Sequence, residues 1–478
     1  MMLENKTLVC KLFRRDSQSC KVGVQVLAAM LSVSAYSAEL NSDIGICHSA
    51  VCLTDAGKIE CSPVDTARYG VIFPMQISVD SVALLVNRGA YLGNVPGVER
   101  WNYDFEDGAD VFLKGRAEQK IAVSRSGKED GRFVGRYPIN GGFVPVGTLL
   151  SGRSHPHAGT GFFLNLAYSH EIAKDGTFDW RTPGFRRMVE VRQVRHDGMS
   201  MSVGSPVVYD HDHPLDIGSS GWQVHANGMS VAIPDGEDML FALTAIEKKS
   251  GRRATGLSRW RFVNGAWAPV GFSPVAFNDA ATEHSYTEPS VVRDAAGRLV
   301  FSARDDGRRD RSGDKPRTAY EQDLNAWISD DSGKSWRVLV HAEKMRTPGP
   351  TAVGRTLDGR IFLSGNPISP PATGKRDYRG NLVLWPVADD GRLGESITVC
   401  DANTQFGMNG AYWCVDHPTS TIIRKSDGIL RSVLAYRVRD PYFYPFRPGR
   451  VFPTPSKQAG AYLDEVRSTG TPIPVWEF

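Results

Sequence analysis

Short runs of β-branched and aromatic residues, each closed by Gly, Pro, Asn or Asp, recur along this chain, and no apolar face repeats at helical spacing for long. The clearest unit runs from Ser285 to Arg304. Val291-Val292 and Leu299 to Phe301 flank Ala296-Gly297, which predicts two strands around a tight turn. In an up-down hairpin the start of one strand and the end of the next share an edge, so Glu288 is expected beside Arg304.

The unit recurs about every sixty to seventy residues, the spacing of a repeat architecture. Openings are Phe73-Pro74, Tyr137-Pro138, Asn227-Gly228, Glu288-Pro289, Gly349-Pro350 and His417-Pro418. Turn glycines follow at Gly236, Gly297, Gly359 and Gly428, then apolar strands at Met239 to Leu243, Leu299 to Phe301, Ile361 to Leu363 and Val433 to Ala435, with Val82 to Val86 as the first unit's counterpart. Later corners lie at Ser124 to Gly127, Asp175 to Phe178, Asn264 to Trp267, Asp331 to Trp336, Asp389 to Gly391 and Ser468 to Gly470. Six openings and six corners predict an all-β fold, a six-bladed β-propeller with seven blades as the alternative. Residues 39 to 66 either close the ring against the last blade or belong to a seventh. Arg181 to Gly221, with the polar run Tyr209 to Pro214, reads as an insertion. Nothing resembles a linker, so residues 39–478 form one domain.

Ser329-Asp330-Asp331-Ser332-Gly333-Lys334-Ser335-Trp336 fits Ser-x-Asp-x-Gly-x-(Ser/Thr)-Trp. This is the Asp box, and with Glu288 and Arg304 ahead of it the order resembles one blade of the sialidase superfamily. That resemblance implies a propeller, a substrate carboxylate held by three arginines, a Tyr nucleophile activated by a Glu, and an Asp acid. Glu288 matches the activating Glu, Arg304 the second arginine and Arg379, in Tyr378-Arg379-Gly380-Asn381, the third. The departures are Ile72-Phe73-Pro74 where the first arginine belongs and Asp416-His417-Pro418-Thr419 where the Tyr belongs; Tyr436 lies one strand later.

Propeller sites form at one mouth of the central channel, where first strands open and second strands end. The openings supply His225, Asn227, Tyr286, Glu288 and His417; the ends supply Arg88, Arg153, Arg304, Asn366, Tyr436 and Arg437, with His155-Pro156-His157 after Arg153. Such a cluster suits a carboxylated or sulfated sugar, because the guanidinium fork binds a carboxylate through two donors. β-Elimination at a uronate needs a neutralising cation, a base and an acid. Propeller-fold ulvan lyases, similar to this chain in fold signals and rim residue types, use Arg, His and Tyr in this way. The expected catalytic set is therefore His155 or His157 as base, Tyr209 or Tyr286 as acid, and Arg153 or Arg304 as neutraliser, with Glu288 also catalytic. Arg88, Arg153, His225, Asn227, Arg304, Arg379, His417 and Arg437 are expected to bind substrate. The alternatives are a hydrolase pairing Glu288 with Asp305 or Asp416, and a glycan-binding propeller without chemistry.

Composition adds bounds. Of 478 residues 41% are hydrophobic and 23% charged, enough for a large core, and the net charge of +3 has no Lys/Arg block that predicts nucleic acid. Residues 1–38 read as an export signal: Lys11, Arg14, Arg15 and Lys21, then apolar Val22 to Val33, then Ala35-Tyr36-Ser37-Ala38. The expectation is a secreted or periplasmic monomer, off the membrane after cleavage, acting on an acidic polysaccharide or oligosaccharide. No cofactor is expected; a structural metal ion is left open. Cys400 with Cys414 is the expected disulfide, and Cys47, Cys52 and Cys61 leave one pair and one thiol.

Overall fold

The computed structural model describes residues 44–47, 69–91, 103–113, 116–125, 127–129, 132–136, 139–171, 186–278, 284–305, 322–347, 349–368, 379–406, 413–424, 428–439 and 460–468. The export signal, Tyr137-Pro138, Asp175 to Phe178, Cys52 and Cys61 lie outside them. Among the described residues no helix is long and apolar enough to cross a membrane.

Six large antiparallel sheets form the six blades. Blade 1 holds Tyr69–Ser78, Ser81–Tyr91, Tyr103–Leu113 and Arg116–Arg125. Blade 2 holds Asn140–Val144, Thr160–Glu171 and Arg186–His196, with Met201–Val203 and Val207–Tyr209 outermost. Blade 3 runs from Trp222–Asn227 through Asp238–Glu247 and Arg253–Val263 to Ala266–Asn278. Blade 4 is Tyr286–Arg293, Leu299–Asp305, Gln322–Ser329 and Arg337–Arg346; blade 5 is Ala352–Arg355, Ile361–Gly365, Asn381–Val387 and Ile397–Asp401. Blade 6 takes Cys414–Arg424, Leu430–Arg439 and Gly460–Ser468, and its fourth strand is Ile44–Cys47. Residues near the start of the chain thus close the ring, one of the two roles expected for residues 39 to 66.

Neighbouring blades are stitched all the way round. Val146 N donates to Ile77 O at 2.8 Å, Ala232 N to Gly141 O at 2.7 Å and Met229 N to Pro289 O at 2.7 Å. Val353 N donates to Ser290 Oγ at 2.9 Å, Ser432 Oγ to Arg355 O at 2.6 Å and Thr419 Oγ1 to Ile72 O at 2.9 Å. Each blade buries both faces against its neighbours, which explains the unbroken apolar second strands. Met239 to Ala245, Leu299 to Ala303 and Val433 to Tyr436 are buried throughout. Six apolar clusters fill the six interfaces between blades. Between blades 2 and 3, Phe162 stacks on Trp260 at 3.9 Å, an aromatic contact worth about 1 kcal/mol beyond its area.

The Asp box is the third-to-fourth strand corner of blade 4. Asp331 Oδ1 accepts from Lys334 N and Ser335 N at 3.0 and 2.9 Å, and Ser335 Oγ donates to Asp331 Oδ2 at 2.6 Å. These donors hold the Asp331 carboxyl well below its ordinary range. Trp336 is thereby turned edge-on to Phe301 at 5.6 Å. Asn264-Gly265 and Asp389 to Gly391 are corners of the same kind in blades 3 and 5. Ser124 to Gly127 is not: blade 1 turns between Leu113 and Arg116, and Ser124 and Arg125 are the last residues of its fourth strand. Most of the expected insertion is likewise blade structure, since Arg186–His196 is a third strand and Val207–Tyr209 pairs beside it.

Cys400 and Cys414 are both free thiols, not the expected disulfide. Their side chains face different groups. Cys400 donates to Gln405 Oε1 at 3.7 Å, and burial pushes its thiol up to about 12, whereas Cys414 donates to Asp416 Oδ2 at 3.3 Å.

Candidate active site

Blades 4 and 6 carry the same local device. In each, the register of the inner strand shifts just before Pro, between Thr287 and Ser290 and between Asp416 and Thr419. A two-residue bulge there re-aims one side chain. Those residues are Glu288 and His417, with φ of +49° and +56°, a left-handed conformation that non-glycine residues rarely hold. Such strain persists where surrounding structure enforces it and marks functional positions. Phe73-Pro74 does not share the device, because the shift in blade 1 lies earlier, between Tyr69 and Ile72.

Arg304 lies across from Thr287, and its Nη1 donates to Glu288 Oε2 at 2.8 Å, as the hairpin predicts. Arg437 lies across from Asp416 in the matching place. Its Nε donates to Asp416 Oδ1 at 2.9 Å, and Arg379 Nη1 donates to Asp416 Oδ2 at 2.6 Å. Asp416 is fully buried, so it fixes two arginines at the mouth. His417 Nδ1 lies 2.9 Å from Arg437 Nη2 and 3.0 Å from Asp416 Oδ1. Burial and then the Arg437 charge bring His417 down to about 4, so it is neutral at pH 7. Burial pushes the Glu288 carboxyl up, but Arg304, His417 and Arg379 together pull it below its ordinary value. Glu288 is therefore ionised near neutral pH while 27% of its side chain stays exposed.

Blades 2 and 3 face it with a second cationic group. Arg187 Nη1 hydrogen-bonds His225 Nε2 and sits over the Tyr168 ring at 5.4 Å. Burial, then Arg187 and Arg253, push His225 down to about 2. Burial raises the Tyr168 phenol, against the charges of Arg187 and Arg253. Tyr168, Arg187 and Arg253 escaped the sequence reading because each lies on a strand whose start or end was not placed.

Other expected residues go elsewhere. His155 and His157 sit in the turn between the first two strands of blade 2, at the opposite mouth. His155 Nε2 donates to Gly236 O at 2.9 Å, and its Nδ1 accepts from His157 N at 3.1 Å, so both nitrogens serve the backbone. His157 packs on Phe262 at 4.5 Å. Arg153 is exposed in the same turn. The structure thus does not bring these three to Glu288. Tyr209 lies on the outer edge of blade 2, across from Val189. Tyr286 is buried, stacked on His284 at 5.4 Å and edge-on to Trp327. Asn227 Nδ2 donates to Asn140 Oδ1 at 3.1 Å inside the channel. Asn366 is buried and stitches blade 5 to Val415 O at 2.7 Å. Tyr436 is buried against Tyr462, its hydroxyl donating to Asp464 at 2.9 Å. Arg88 is on the second strand of blade 1, across from Tyr69.

Asp305 is also engaged: Oδ2 contacts His284 Nδ1 at 2.6 Å and Oδ1 accepts from Ser285 N at 3.0 Å. His284, Asp305 and Asp323 form a group with metal-ligand spacing. Fully buried Arg346 donates to the backbone carbonyls of Asp305 and Asp323 at 2.9 and 2.8 Å.

No protein-family model matches the chain, and no curated protein matches it. Among solved structures it is similar to a protein of unknown function from Dyadobacter fermentans, at 14% identity and a TM-score of 0.47, covering 85% of this chain and 97% of that one. It is similar to the α-L-arabinofuranosidase of Fusarium graminearum in complex with an iminosugar inhibitor, at 12% identity and 0.44, covering 88% and 97%. It is also similar to NanB sialidase from Streptococcus pneumoniae, at 9% identity and 0.46, covering 85% and 71%.

Proposed function

We propose that the protein is a glycoside hydrolase acting on a glycan with an acidic group, with Glu288 as its ionised carboxylate. The observation that carries this is Glu288 itself. It is held in a strained conformation, kept charged by Arg304, and left partly open to the channel mouth. An ionised carboxylate so placed attacks an anomeric carbon or activates a water toward it. Asp305 and Asp416 both have their oxygens bonded to fixed donors, which argues against either as the acid. Tyr168 is the better candidate donor to the leaving oxygen: burial keeps its phenol protonated, and Arg187 sits over its ring. Arg187, Arg253, Arg379 and Arg437 supply the positive walls that favour an acidic sugar.

An eliminative reaction at this mouth would lack His155 and His157 as bases, and no observation favours it over hydrolysis. The test incubates the full chain with sialyl-lactose and with a uronate polysaccharide. Hydrolysis predicts released sugar without an ultraviolet-absorbing unsaturated product. Glu288→Gln should lower the rate by roughly two to four orders of magnitude, and Tyr168→Phe by a similar or smaller factor. An unsaturated product, or a Glu288→Gln variant as active as the parent, overturns the proposal.

A further inference from the structure

The opposite mouth of the channel holds a cavity of about 330 Å³ whose lining includes neither Glu288 nor His417. Its walls come from five blades and are mostly aliphatic, with Leu149, Leu150, Ile233, Val291, Val292 and Ile422 among them. Volumes of this size suit a small ligand. The polar groups in the lining are largely committed. Both His155 nitrogens serve the backbone, and Thr148 Oγ1 donates to Pro145 O at 2.7 Å. Arg293 donates to Gly297 O at 2.9 Å and to Asp235 at 2.6 Å.

Arg355 is different. Its Nη1 donates to the carbonyls of Arg293 and Asp294 at 2.9 and 3.3 Å, but its Nε and Nη2 are buried with no hydrogen-bond partner. Asp294 is no partner for them, because its carboxylate is taken by Ala296 N, Arg298 N and Arg298 Nε. Nε and Nη2 form one edge of the guanidinium, the edge that holds two carboxylate oxygens in parallel hydrogen bonds. A buried charged donor left without a partner is costly. Burial accordingly pulls the Arg355 guanidinium down, against the nearby Asp294 charge.

We propose that this cavity is a second binding site, for a small molecule with a carboxylate and an aliphatic body, the carboxylate seated on the Nε–Nη2 edge of Arg355 once its side chain turns that edge, closed off in the empty cavity, toward the ligand. The apolar walls take the body and the guanidinium selects the charge. Val291 and Ile422 lie a few residues along the same inner strands from Glu288 and His417, at about 3.3 Å per residue. The site is therefore separate from the Glu288 mouth but built on the same strands.

The test uses titration calorimetry on the full chain with octanoate and, as the uncharged match, octan-1-ol. Octanoate is expected to bind roughly tenfold or more tightly than the alcohol. Arg355→Met should erase that preference, and Ile233→Trp, which fills the cavity, should abolish binding of both. Absence of octanoate binding, equal binding of the two probes, or an unchanged preference in Arg355→Met overturns the proposal. Should Arg355→Met fail to fold, Ile233→Trp decides: octanoate still bound by that variant overturns the proposal, and binding lost with the fold intact supports it. None of these readouts depends on hydrolysis, so failure here and failure of Glu288 as the carboxylate are told apart.

Discussion

Replacing Asp416 with Asn separates a positioning role from a chemical one. Asp416 is fully buried and binds Arg379 at 2.6 Å and Arg437 at 2.9 Å. Asn keeps the shape and one acceptor but removes the charge that both guanidinium groups face. A hydrogen bond to a charged group contributes about 1.5–3 kcal/mol, and removing one partner's charge from a buried pair costs about 3–5 kcal/mol in all. For a chain of 478 residues the unfolding entropy is about 1 kcal/mol per kelvin, so the midpoint should fall by about 3–5 °C. Differential scanning fluorimetry measures the shift, and steady-state kinetics on the same sample should show KM rising more than kcat falls. A variant that melts like the parent yet has no turnover would mean that Asp416 takes part in the chemistry, and the positioning argument would be wrong.

Acid should weaken the fold through His417. Its folded value near 4 lies below the unfolded value of about 6.5, so the unfolded chain takes the proton first; stability is present above pH 6.5 and declines toward pH 4 at about 1.4 kcal/mol per unit. Urea midpoints across that window should decline less steeply in His417→Gln. Gly359→Ala should destabilise: φ is +87°, and a Cβ there would lie 2.3 Å from Ala295 Cβ and 2.9 Å from its backbone. The expected cost is about 1–3 kcal/mol, read from the same urea curves. Unreduced peptide mapping should find no link between Cys400 and Cys414; a cross-linked pair would contradict their separate environments.

The repeat could be read from the chain because a propeller blade is local. Strands pair with their sequence neighbours, so turn glycines such as Gly297 and apolar runs such as Leu299 to Phe301 mark blades wherever they recur. The Glu288–Arg304 pair was readable for the same reason, since one hairpin fixes both. What the sequence could not decide was where separate blades bring their ends. His155-Pro156-His157 looks like a rim motif, but the long turn in blade 2 carries it to the far mouth, and only the bond to Gly236 O in blade 3 reveals this. Arg187 and His225 are 38 residues apart and meet across two blades, and the Nε–Nη2 edge of Arg355 is known to lack a partner only once Asp294 is seen bound to Arg298. Periodicity along the chain determines secondary structure and blade count. The charge state of Glu288, the neutrality of His417 and the two mouths of the channel depend on burial and on distances between strands far apart in sequence, which only ring closure sets.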